Sequence, residues 1–194
     1  FLPHRHEIRP ELRTFKTGLA DIITDLKRTH IIIEISKTLL DVNTSPDMLL
    51  DVNTANNKLI VSSDLKTVSW AKQSQKRPET PERFVFYPQV LGIGGFTSGR
   101  HYWEVETRGV SWIIGMIYGI QLRLLKNMYS VLSNGTVTEL KCRQSVPRIR
   151  IYLDYEAGQL SFYELSDPHK HIHTFTARFT EPLHVAICVW GMPR

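Results

Sequence analysis

The segment DPHKHIHTF places His169, His171 and His173 two residues apart. On a strand that spacing sets three imidazoles on one face, an arrangement that captures a transition metal. The plainer reading, an exposed strand face after the Asp167-Pro168 turn, is adopted, so no metal and no cofactor is assigned. GIGGFTSG at 92–99 is glycine-rich and invites a phosphate-loop reading. It lacks a GK[ST] ending, and no helical pattern follows to offer a positive helix terminus. Joining two strands is its expected role. Acyl transfer needs a nucleophile, a base and an orienting acid, and no G-x-S-x-G or HExxH pattern frames the serines and histidines. Glu104 and Glu106 share one strand face, and outward-facing Arg148 and Arg150 are their expected partners. Such surface ion pairs have small energetic effect. None of these groups makes a reaction centre, and no enzyme activity is expected of the chain.

Charge is a better guide to partners. The net charge is +5, and residues 121–150 hold six basic residues against Glu139 alone. The segment is either a solvated basic loop region or a site for an anionic partner. Cys142 and Cys188 are too few for a disulfide framework and have no zinc spacing. Reduced thiols in a cytoplasmic or nuclear protein are expected. No secretory pattern is read in FLPHRHEIRP. The run WIIGMIYGI at 112–120 is far short of the roughly 20 residues of a membrane span, so no membrane contact is expected.

The elements that position these groups fall into two parts. After Pro10, apolar residues recur at Leu12, Phe15, Leu19, Ile22, Leu26 and Ile33, with Thr29 and Ser36 in the same register. Steps of three and four predict a helical arm over 1–38. It packs either as a coiled-coil seam pairing two chains into a homodimer or as one amphipathic helix on its own domain. Residues 39–48 read as a linker. From there the pattern is short strands of period two. In HYWEVE, Trp103 and Val105 oppose Tyr102, Glu104 and Glu106; in RIRIYLDY, Ile149, Ile151 and Leu153 oppose Arg148, Arg150 and Tyr152. RIRIYLDYEAGQLSFYEL reads as a hairpin turning at Tyr155–Gly158. Many short strands with no helices between them predict an all-β antiparallel two-sheet sandwich with an N-terminal helix. Trp103 and Trp112 belong to its core, and Trp70 to core or rim.

LLDVNT occurs twice, at Leu39–Thr44 and Leu49–Thr54. The second copy runs on into a strand through Leu59 and Val61, whereas Pro46 stops any strand after the first. Two copies ten residues apart do not make a repeat array. The second copy therefore opens the domain, and the first is an echo in the linker.

LLDVNTANNKLIVSSDLKTVSW resembles the PRY segment, and PERFVFYPQVLGIGGFTSGRHYWEVE, LDYEAGQLSFYEL and FTARFTEPLH resemble the SPRY portion that follows it. The blocks extend from 49 to about 190 in the family's order, with PRY at about 49–95 and SPRY at about 96–194. The chain is similar to the C-terminal PRY-SPRY domain of tripartite-motif (TRIM) ubiquitin ligases, and next to the intracellular domain of butyrophilins. The resemblance implies a bent sandwich whose variable loops hold a partner protein, with ubiquitin transfer left to a RING whose zinc spacing is not read here. Two departures stand out. The stretch between Trp112 and RIRIYLDY is short and lacks the family's Trp, with Tyr129 the nearest aromatic. The family's final strand is also missing after Trp190, which would expose a sheet edge.

The binding loops are expected at 71–82, 107–111, 117–129 and 134–147. They carry Lys72, Lys76, Arg77, Arg108, Arg123, Lys126, Lys141 and Arg143, with Tyr118 and Tyr129 as aromatic anchors. An acidic or mixed protein surface is the expected partner. RNA or a phosphorylated small molecule is the second expectation.

Overall fold

The computed structural model describes residues 32–36, 48–108, 111–117, 119–125, 128–140 and 147–190. Among these, fourteen strands form two seven-stranded sheets in which every pairing is antiparallel. In chain order they are β1 Ile32–Ser36, β2 Leu50–Asp51, β3 Leu59–Val61, β4 Thr67–Trp70, β5 Gln89–Gly92, β6 Arg100–Arg108 and β7 Ser111–Met116. Then come β8 Ile120–Leu125, β9 Met128–Ser133, β10 Thr136–Glu139, β11 Arg148–Asp154, β12 Gln159–Glu164, β13 Lys170–Thr176 and β14 Val185–Val189. One sheet runs β13-β12-β11-β6-β1-β4-β3, the other β10-β9-β8-β7-β14-β5-β2. The all-β sandwich expected from period-two patterning is what forms.

The inward faces meet in one apolar core. Trp103, Ile151 and Phe162 enter from the first sheet, Trp112, Leu122 and Ile187 from the second, all at most 3% exposed. Alternation along each strand delivers these side chains to the same side. Trp70 is half-buried, at the rim. The predicted hairpin forms as read, with Gly158 N–H donating to the Tyr155 carbonyl at 3.1 Å. Gly158 has φ +65°, and a Cβ there would meet the Ala177 carbonyl, so only glycine fits the turn. The 92–99 glycine stretch links β5 to β6, as expected of it.

Four expectations need correction. The helical arm does not run to residue 38: Ile32–Ser36 is a strand between β4 and β6. The run of β-branched isoleucines there suits a pleated slot with a partner on either side better than a helix. Residues 1–31 and 37–47, with the rest of the arm, its dimer seam and the first LLDVNT copy, lie outside the described residues.

The expected loop 117–129 is mostly strand. Ile120, Leu122 and Leu124 alternate inward with Gln121 and Arg123 outward, so IQLRLL makes β8, joined to β7 through Gly119 at φ +86°. In the expected loop 134–147, Thr136–Glu139 is likewise a strand, exposed and at a sheet edge.

The histidines do not share a face. A bulge at Ile172 pairs His171 with Tyr163 but His173 with Phe162. His171 bonds Thr174 Oγ1 at 2.7 Å, while the His173 ring packs edge-on against buried Phe175. Burial holds the His173 imidazole below its usual pKa, with His171 adding to the effect. No group of three metal-ligating side chains occurs among the described residues.

Finally, Glu104 is not on a wet face. It is 2% exposed, and its carboxylate accepts from Arg148 Nη2 and Arg150 Nη2, each at 2.6 Å. The predicted neighbours are indeed adjacent, Arg150 opposite Glu104 and Arg148 opposite Glu106. The Arg148–Glu106 contact is longer, 3.8 Å, and open to water. A buried carboxylate between two cations is a larger matter than a surface pair, because removing it leaves Arg150 without this partner and Arg148 with only the looser Glu106 contact. As for the end of the sandwich, β14 is interior to its sheet, flanked by β7 and β5, and residues past Trp190 lie outside the described ones.

Glu104→Ala is expected to cost about 2–3 kcal/mol of unfolding free energy, measured by urea denaturation. Glu106→Ala should stay within about 0.5 kcal/mol. Equal effects would show that burial of Glu104 does not set the strength of this cluster.

Candidate interaction surface

The ten residues expected to bind a partner have different fates. Lys72 and Lys76 are exposed and Arg77 is half-buried, all on the connection between β4 and β5. Arg108 is the last residue of β6. Tyr118, Lys126, Lys141 and Arg143 lie outside the described residues.

Arg123 and Tyr129 contradict the expectation. Arg123 is on β8 and 3% exposed, and burial holds its guanidinium below the usual pKa. Tyr129 is on β9, 0% exposed, with its ring edge-on to Trp112 at 6.0 Å. Alternation turns Tyr129 into the core, whereas Arg123 is on the opposite face of β8 and is buried there as well. Tyr129 is thus a core residue and not an aromatic anchor at the surface.

What the structure brings together is the 71–88 connection, folded back onto the turn after β2. That turn is DVNTANNK, the continuation of the second LLDVNT copy. The side chain of Asn56 uses both its donors and its oxygen here. Its Nδ2 donates to the carbonyls of Phe84 and Val85 at 2.9 and 3.0 Å, and its Oδ1 accepts from the Lys58 amide at 2.7 Å. Asn57 Oδ1 accepts from the Arg77 amide at 2.8 Å, and the Asn57 carbonyl accepts from the Gln75 amide at the same distance.

Arg83 provides the third tie. It is 6% exposed, and its guanidinium donates to three carbonyls: Pro78 at 2.8 Å, Val52 at 3.0 Å and Ala55 at 2.6 Å. Arg77 Nη1 adds a bond to the Asn56 carbonyl at 3.1 Å. A long connection usually leaves backbone polar groups to water. Here asparagine and arginine side chains satisfy several of them and tie the irregular loop to the turn after β2.

The electrostatics follow from that construction. Among the described residues, neither Arg77 nor Arg83 forms an ion pair with a carboxylate; their acceptors are carbonyls. Burial lowers the Arg77 pKa from its ordinary value, and the Arg83 charge lowers it further. Two neighbouring guanidiniums, with Lys72 and Lys76 beside them in the chain, give the surface a positive potential that suits carboxylates or phosphates. The expected basic segment 121–150 missed this, because that charge excess is split between the buried Arg123, the Glu104 cluster and residues outside the description.

The same connection exposes Val85 and Phe86, which residue-type reasoning passed over. Their signal is faint in sequence. FVFYPQV is rich in strand-favouring residues, and the Asn56 bonds to the Phe84 and Val85 carbonyls show that its first part is a pinned loop.

Arg83→Met should leave the Val52, Ala55 and Pro78 carbonyls without this donor, at a cost of about 2–3 kcal/mol. Exchange of the Phe84 amide, which donates to the Thr54 carbonyl at 3.0 Å, should accelerate at least about tenfold more than the β11 amides. Hydrogen-exchange mass spectrometry checks this. Uniform acceleration would mean that Arg83 stabilises the whole domain and not this loop.

Comparisons with known proteins agree with this architecture. Residues 48–96 match the SPRY-associated domain, PRY, and residues 118–192 match the SPRY domain. Bovine butyrophilin subfamily 1 member A1 is 37% identical over 162 residues, covering 75% of this chain and 31% of the relative. Mouse tripartite motif-containing protein 14 is 35% identical over 165 residues, covering 74% and 38%. The chain thus spans about a third of these relatives' length. Among solved structures, the TRIM65 PSpry domain shares the fold, with a TM-score of 0.67 at 24% identity over 74% of this chain and 84% of that one. A stonustoxin structure gives a TM-score of 0.65 at 31% identity, over 73% and 26%. With the two matches in tandem on one pair of antiparallel sheets, the chain belongs to the PRY-SPRY domain family.

Proposed function

We propose that this chain is the partner-recognition part of a larger protein, and that it holds a target protein through the 71–88 surface. SPRY domains of this kind are in general protein-interaction modules. In a TRIM-type ubiquitin ligase acting in the cytoplasm, the target would be the substrate, and transfer would be carried out by another part of the protein. The observation that carries the reading is the fixed loop. Lys72, Lys76 and Arg77 stand on a connection tied back at the Lys72 carbonyl by Lys58 Nζ, at the Arg77 amide by Asn57 and at the Pro78 carbonyl by Arg83. A partner that docks there has little loop entropy to remove, which is how interfaces of modest area reach useful affinity. The cations select an acidic or mixed surface, chiefly by steering the encounter.

Quantitative capture from cytosolic lysate tests this, with the whole chain as bait, with and without RNase, beside a Lys72→Glu/Lys76→Glu variant. A protein retained after RNase and weakened roughly tenfold (about 1.4 kcal/mol) by the double variant is the expected result. Capture that disappears with RNase would assign the surface to nucleic acid. Capture indifferent to the charge reversal would remove the 71–88 loop from the interface.

A further inference from the structure

We propose that Val85 and Phe86 form an apolar anchor that inserts into a pocket, ringed by carboxylates, on a folded partner protein. The inference rests on the partner-recognition reading above and names the contact that would dominate it. Phe86 is 90% exposed and Val85 73%, the two most exposed large apolar side chains among the described residues. Isolated exposed apolar residues are ordinary on protein surfaces. Two features set this pair apart.

The first is the backbone beneath it. Asn56 Nδ2 holds the Phe84 and Val85 carbonyls, and the Phe84 amide bonds Thr54. Immediately downstream, the Gln89 amide closes on the Tyr87 carbonyl at 2.7 Å, and the Val189 amide of β14 holds the Pro88 carbonyl at 3.1 Å. The aromatic ring is therefore carried on main chain fixed on both sides, and an aromatic group already in place loses little entropy on binding. Such groups are typical interface hot spots.

The second feature is the charge around it. Arg83 and Arg77 belong to the same Asn56–Asn57 hub and have carbonyls, not carboxylates, as acceptors. Lys72 and Lys76 stand exposed on the same connection, and these cations outnumber its acids, Glu79 and Glu82. A projecting aromatic side chain in a positive field is complementary to a concave apolar site with an acidic rim. A second copy of this chain fits poorly. A two-fold contact at this tip would bring the same cations face to face.

The test places p-benzoylphenylalanine at position 86 of the whole chain, with the same probe at Ile60, exposed on β3 in the other sheet, as control. A protein crosslinked from 86 and not from 60 is then purified and titrated against the unmodified chain and its variants. Phe86→Ala should raise the Kd at least tenfold (about 1.4 kcal/mol). Phe86→Leu should recover most of that loss, and added salt should weaken binding. A partner that binds Phe86→Ala as tightly as the unmodified chain overturns the anchor while the recognition reading stands. If the folded chain binds no protein at all, both fall. Co-sedimentation with vesicles of phosphatidylcholine and phosphatidylserine at 3:1, abolished by Phe86→Ala, would assign the tip to a membrane surface and overturn the protein partner.

Discussion

A buried guanidinium with three carbonyl acceptors is the tie on which the candidate surface depends. Arg83 gathers the Pro78, Val52 and Ala55 carbonyls under one planar donor group. Those acceptors come from the long connection before β5 and from the turn after β2. No sheet ladder could satisfy them, because neither segment is extended. Asn56 and Asn57 complete the tie from the turn side. A charge-assisted donor in a shielded place is a strong way to fix irregular backbone. It also leaves a positive charge that no carboxylate among the described residues neutralises by an ion pair.

That residual charge links packing to function. On the other sheet, Glu104 and Glu106 together balance Arg148 and Arg150, so those cations are committed to the fold. Arg123 is withdrawn into a strand and belongs to the fold as well. Arg77 and Arg83 differ because their hydrogen bonds are local but their charge is not cancelled. The sandwich supplies rigidity beneath them. β2 pairs with β5, β5 with β14, and β14 leads directly into the core through Val185 and Ile187.

Much of the fold was legible because period-two alternation and turn residues are local signals. The β11–β12 hairpin and the core places of Trp103 and Trp112 follow from spacing, whereas the pairing of β6 with β11 enters the sequence reading only as the condition for Glu104 and Glu106 to meet Arg148 and Arg150. The second LLDVNT copy was also readable: it continues into the asparagine pair of the hub, where the first has Pro46 and Asp47. The failures share one cause, which is that pairing partners distant in sequence decide what a short segment becomes. Ile32–Ser36 sits in a helical register but finds β4 and β6 on either side. IQLRLL, expected within a binding loop, finds β7 and β9 on either side and becomes a strand. A single bulged residue, Ile172, separates His171 from His173. Side chains that stabilise loops, such as Asn56 and Arg83, carry no periodicity, so the surface they build could not be located before the fold was known.

The central claim is that the 71–88 connection is preformed, so backbone 15N relaxation of the free chain is the most direct measurement. Order parameters near about 0.85 for Arg77, Arg83, Val85 and Phe86, matching those of β11 and β12, are the expected result. Values below about 0.6 across these residues would show a loop that orders only on contact. The account of a rigid anchor surface would then be wrong.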